Sequence, residues 1–90
     1  GTAEAPLGAA AATSARIGLC YSVGAGALSN FVGGAYSIHN LTTARQSYAA
    51  AGSIVPGAGT YNVGMCVMNG GAGVINNNDY VNGWVVVTNP

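Results

Sequence analysis

The side chains able to carry chemistry are few: His39, Asp79, Glu4, Arg16, Arg45, and the two cysteines Cys20 and Cys66. A nucleophilic triad can be drawn on paper from His39, Asp79 and any of several serines. No Gly-x-Ser-x-Gly turn presents the hydroxyl, however, and one residue of each type is weak support. His39 reads better as a side chain on a sheet face. Glu4 and Asp79 lie too far apart in the chain to be read as the paired carboxylates of general acid and base work. A zinc site needs four ligands, and Cys20, His39 and Cys66 show none of the usual paired spacing. Gly70-Gly71-Ala72-Gly73 lacks the lysine and hydroxyl of a phosphate loop. Asn76-Asn77-Asn78-Asp79 sets one carboxylate among neutral amides, a weak calcium site at best, and reads better as a turn. The sequence therefore points to no enzyme, no cofactor and no metal.

The cysteines are better placed for a covalent role. A Cys20–Cys66 bridge would close a loop of about 45 residues, contribute on the order of 4 kcal/mol, and place the chain outside the reducing cytosol. Two buried free thiols are the alternative. An internal echo favours the bridge: Ile17-Gly18-Leu19-Cys20 and Val63-Gly64-Met65-Cys66 share the pattern aliphatic-Gly-aliphatic-Cys. Each cysteine then lies opposite the large apolar side chains of its strand. If the two strands are neighbours, both sulfurs fall on one side of the sheet, and a bridge is geometrically plausible provided the Cα atoms lie within about 7 Å.

What surrounds these residues is almost without charge. Lys plus Arg number 2 and Asp plus Glu number 2 in 90 residues, and none is lysine. An ordinary domain is about a quarter charged. Two arginines cannot neutralise the several phosphates that give nucleic-acid affinity, nor hold an anionic membrane surface. No run approaches the roughly 18 apolar residues of a membrane span. A chain opening at Gly1 reads as a mature product or fragment whose targeting peptide is gone. Half the residues are hydrophobic, but many are alanine and 15 residues are glycine, so the core is thin. Oligomerisation or a disulfide is the usual remedy. A neutral coat of Gly, Ala, Ser, Thr and Asn has nothing to repel a sister copy.

The elements expected to position these groups are strands. Residues 1–15 read as a low-complexity N-terminal arm, with Leu7 and the alanines Ala9, Ala10, Ala11 and Ala12, too short in its Ala run to hold a helix. The arm is expected to be ordered, lying across its own domain or held by a neighbouring subunit. From Arg16 the pattern has period two. Ile17, Leu19, Tyr21 and Val23 share a face, then Gly24–Gly26 breaks the run. Asn30-Phe31-Val32 ends at Gly33-Gly34. Residues 35–43 form a further strand, residues 47–55 a weaker one, and Pro56-Gly57-Ala58-Gly59 a turn. Residues 60–69 form the clearest strand, with Tyr61, Val63, Met65 and Val67 on one face. Residues 80–88 close the chain, and Trp84-Val85-Val86-Val87, apolar on both faces, predicts a central or interface strand. Short strands at intervals of about ten residues predict an all-β fold, a small antiparallel β-sandwich or jelly roll spanning residues 16–90.

Asn40-Leu41-Thr42 is an N-glycosylation acceptor pattern. The five tyrosines and Trp84 are expected mainly in core or interface, with a sugar-binding face as the lesser alternative. The run Gly-Thr-Tyr-Asn-Val-Gly-Met-Cys-Val-Met-Asn from Gly59, followed by Asn-Asn-Asp-Tyr-Val-Asn-Gly-Trp-Val-Val-Val-Thr-Asn to Asn89, resembles the final strands of a family of small β-sandwich domains. Those domains stand at the C-terminal ends of bacterial surface, collagen-like and tail-fibre-type proteins. The resemblance implies an extracellular, oligomeric, non-enzymatic role. Those domains usually terminate a longer chain, whereas this one reads as complete at 90 residues, which favours a free-standing subunit.

The sequence thus leads to a secreted structural subunit that polymerises with copies of itself into a filament or sheath, the arm docking on a neighbour, with Trp84 a further assembly residue. The alternative is a trimeric adhesin or fibre head whose tyrosines meet glycan.

Overall fold

The computed structural model describes residues 1–31 and 36–88. Val32, the Gly33-Gly34 break, Ala35 and Asn89 of the sequence reading lie outside them. Every regular element among the described residues is a strand: β1 (Thr2–Leu7), β2 (Thr13–Ser22), β3 (Ser29–Asn30), β4 (Ser37–Leu41), β5 (Gln46–Ala51), β6 (Asn62–Asn69) and β7 (Asn82–Trp84). They form two antiparallel sheets. One has the order β5-β1-β7; in the other, β2 pairs with β3 and β4 and also with β6. The sheets face each other as a small β-sandwich, as the period-two pattern predicts.

The core between them is thin because its side chains are small. One cluster holds Ala5, Leu7, Ala9, Ala15, Ile17 and Leu41; the other holds Ala3, Leu19 and Phe31, and Met65 packs against both. Among the described residues, only Ile17 and Leu41 are large side chains less than 2% exposed. On β2, Ala15, Ile17 and Leu19 point inward by strict alternation, whereas Val23, expected on the same face, lies past the strand end and is exposed.

The expected arm takes a different form. Residues 2–7 are the central strand of the first sheet, and residues 13–15 are the start of β2, so the boundary drawn at 15/16 falls inside a strand. Ala3, Ala5 and Leu7 alternate inward and are buried, while Glu4 faces out and is exposed. Thr2–Leu7 pairs in full with Gln46–Ala51, and Thr2–Glu4 also pairs with Asn82–Trp84. Proline inside a paired strand ordinarily removes a ladder bond. Here the ladder to β7 ends at Glu4, and the Pro6 carbonyl accepts instead from the Asp79 N–H at 3.1 Å. The missing N–H of Pro6 thus falls beyond the last rung.

The internal echo becomes a local two-fold relation. β2 and β6 run antiparallel with Gly18 opposite Cys66, Leu19 opposite Met65 and Cys20 opposite Gly64. Each cysteine faces the glycine of the other copy of the pattern, and the Cys20–Cys66 disulfide joins the strands diagonally with Cα atoms 5.9 Å apart. Gly18 is required for a further reason: the Tyr36 ring lies where its Cβ would stand. The turn at 56–59 also forms, with Gly57 at φ +86° and the Tyr61 hydroxyl donating to the Pro56 carbonyl at 2.7 Å.

Candidate assembly surface

The residues considered for catalysis or metal binding are engaged elsewhere. Arg45 donates from Nε and Nη2 to Asn77 Oδ1 at 3.1 and 2.8 Å, and from Nη1 to Asp79 Oδ2 at 3.2 Å. Asp79 Oδ1 accepts from the Tyr80 N–H at 2.8 Å. The oxygens considered for calcium at Asn77 and Asp79 therefore already face a guanidinium, and Asp79 pairs with arginine rather than with histidine. His39 stacks edge-on against Tyr48, with ring centroids 5.3 Å apart. Among the described residues, no three His, Cys, Asp or Glu side chains converge. No helix there is long and apolar enough to cross a membrane.

Arg45, Asn77 and Asp79 instead make a clasp. The Asn77 and Asp79 N–H groups donate to the Gly8 and Pro6 carbonyls, both at 3.1 Å, and Ala10 N–H donates to the Val74 carbonyl at 2.9 Å. Residues 74–79 are thereby laid along the end of β1 and the connection after it. Sequence reasoning saw a turn here and missed this use. The signal was present, because Arg45 and Asp79 are half of the chain's charged residues and had no other obvious partner.

What the fold presents to solvent is apolar surface. The exposed large hydrophobics include Val63, Val67 and Met68 on β6, Val81 and Trp84 on and beside β7, and Val85, Val86 and Val87 beyond it. Trp84 is 60% exposed and Val87 87% exposed. The closing segment is thus an edge and not a central strand. The ladder of β7 covers three residues, and Val85–Val87 beyond it have no sheet partner to bury them. The face predicted on β6 is covered only in part: Met65 turns into the core, whereas Val63 and Val67 stay 40% and 39% exposed at the edge that β6 forms beside β2.

Between these two edges the sandwich is open. A cleft of about 300 Å³ runs between β6 and β7, lined by Val63, Met65, Val81, Trp84 and Val85, with Leu19 and the β1 residues Thr2 and Ala3 also lining it. Neither β6 nor β7 carries a charged residue, and edge strands ordinarily use charge to discourage pairing with another chain. The accessible surface is 5637 Å², whereas a compact monomer of this mass exposes about 4,800 Å². The molecule is also elongated, 43 × 21 × 20 Å.

The other residues singled out from sequence divide cleanly. Leu7 and Ala9 are buried in the chain's own core, so in this state neither is free to touch a neighbour; Ala10, Ala11 and Ala12 are exposed. Asn40 is exposed on β4. Of the aromatics, Tyr21 packs edge-on against both Phe31 and Tyr61, at 5.9 and 5.8 Å, and Tyr36 and Tyr48 are half-buried. Tyr80 and Trp84 are the exposed ones. Searches with this chain against protein-family models, curated proteins and solved structures return no match.

Proposed function

We propose that this chain is an extracellular structural subunit that self-assembles into a filament or sheath, its N-terminal segment docking on a neighbouring subunit. The observation that carries this reading is the open, uncharged β6–β7 cleft with Trp84 and Val85–Val87 beside it. Contiguous exposed apolar surface on a small soluble domain marks an interaction site. A partner with the same neutral coat meets it without a desolvated charge on either side. The disulfide suits an oxidising compartment, which supports secretion, and Asn40, exposed within its acceptor pattern, would be accessible to a glycosylating host.

Negative-stain electron microscopy with light scattering across a hundredfold dilution tests the reading. Filaments or mass growing with concentration are expected. A heat-resistant monomer at every concentration would overturn it.

A fibre head that binds glycan is favoured only by exposed Tyr80 and Trp84, whose rings could stack on sugar. Glycan-array binding by a closed trimer, with no long polymers in the preparation, would select that alternative.

A further inference from the structure

β1 has an unusual position for the first strand of a chain. It stands at the centre of its sheet, and among the described residues β5 and β7 are joined only through it. It contributes Ala3 to one core cluster and Ala5 and Leu7 to the other. Withdrawn, it would leave a slot walled by Gln46–Ala51 on one side and Asn82–Trp84 on the other. That slot receives Ala3, Ala5 and Leu7 at alternate positions, and the β6–β7 cleft already reaches Thr2 and Ala3 at one end. β1 is joined to β2 by residues 8–12, Gly8 and four alanines, of which Ala10, Ala11 and Ala12 are exposed. Gly8 and Ala9 are bonded to Asn77 and Thr42 and move with β1, so residues 10–12 are the connection that must open, about 10 Å when fully extended, one sheet-to-sheet spacing.

Resting on the assembly reading above, we propose that the docking N-terminal segment is β1 itself, exchanged between copies: β1 of one subunit fills the β5/β7 slot of the next. Between subunits β1 makes the same contacts, in the same register, that it makes within its own chain, so exchange replaces each of them one for one. Such swapping of an identical element is a low-cost route to association. Donor strand and slot are different elements of the chain, so a one-way contact is heterologous and extends as an open chain when the rotation does not close. The polar part of the attachment is main-chain hydrogen bonding, the mode of strand addition. The clasp of Arg45, Asn77 and Asp79 over Pro6 and Gly8 holds the strand in place in either arrangement.

Glu4 and Ala49 are directly opposite across β1 and β5, and both are exposed. The neighbouring Gly1 and Gly52 exchange both main-chain hydrogen bonds. Counting rungs from there makes Glu4–Ala49 a non-hydrogen-bonded pair, the kind with Cα atoms about 4.5 Å apart that accepts a disulfide. Subunits bearing Glu4→Cys alone and subunits bearing Ala49→Cys alone, each keeping the native bridge, are unfolded together, refolded, allowed to assemble and oxidised. Exchange predicts mixed covalent dimers at least tenfold over like-with-like dimers on a non-reducing gel. In the double variant E4C/A49C, oxidation at high dilution before assembly should hold the chain monomeric, with polymers returning on selective reduction. If polymers form but mixed dimers do not exceed like dimers, or if the locked double variant polymerises as the wild type does, exchange is wrong and assembly through the exposed cleft stands. If the wild type never polymerises, both readings fall.

Discussion

Replacing Cys20 and Cys66 together with alanine should cost this fold more than any single core substitution of similar size. The bridge spans a sequence separation of 46. Closing a loop of that length removes roughly 13 cal/mol/K of denatured-state entropy, or about 4 kcal/mol at 25 °C. A chain of this length is stable by only about 5–13 kcal/mol in all. The loss therefore takes a third or more of the total, and the melting temperature should fall by roughly 15–30 °C. The location of the damage is also specified. β6 pairs with β2 along its whole length but lends only Met65 to the core clusters, so the bridge is its main fastening beyond the ladder. Amide exchange in residues 62–69 should then speed up by orders of magnitude, while residues 13–17, held also by β4, stay protected in the folded fraction. Differential scanning calorimetry with and without reductant, followed by exchange mass spectrometry, makes the measurement. A melting shift under about 5 °C together with unchanged protection in β6 would refute the loop-closure argument.

Three further substitutions separate surface from scaffold. Gly83→Ala places a methyl group against the Thr2 carbonyl and the Ala3 backbone, where no flexible side-chain end can yield; it should destabilise by about 1–3 kcal/mol in urea titration and loosen β7 first. Trp84→Ser should cost the monomer no more than about 2.5 kcal/mol, the worth of the two-fifths of the residue that is covered, and yet raise the critical concentration for assembly severalfold by sedimentation. Arg45→Ala breaks an ion pair whose side chains are 44% and 49% exposed, so solvent screening limits the loss to below about 1 kcal/mol. Its sharper effect should be on the clasp, seen as faster amide exchange at Asn77 and Asp79, whose N–H groups hold Gly8 and Pro6.

Much of the fold was legible because strand physics is local. Period-two alternation marked β2, and glycine with proline marked the turn at 56–59. The repeated aliphatic-Gly-aliphatic-Cys pattern located the disulfide, since only an antiparallel neighbour lets each cysteine face the other copy's glycine. β1 was missed although its alternation of Ala3, Ala5 and Leu7 against Thr2, Glu4 and Pro6 was present in plain view. Alanine carries too little apolar area to stand out in a hydrophobicity pattern, and Pro6 argues against a strand unless the ladder is known to end before it. The closing segment shows the opposite limit: Trp84-Val85-Val86-Val87, apolar on both faces, is legible as a central or an interface strand, and the fold removes the first by leaving it exposed at an edge.

By itself, then, the sequence determined a nearly uncharged all-β chain with a core too rich in alanine to be thick, and favoured its disulfide, because composition limits what can be buried whatever the topology. Tertiary structure alone decided that residues 2–7 lie at the centre of a sheet and that β6 and β7 stand apart as open edges. Those outcomes depend on which strands become neighbours. Strand pairing is a long-range choice, made by the total burial it achieves, and no window of local sequence contains it.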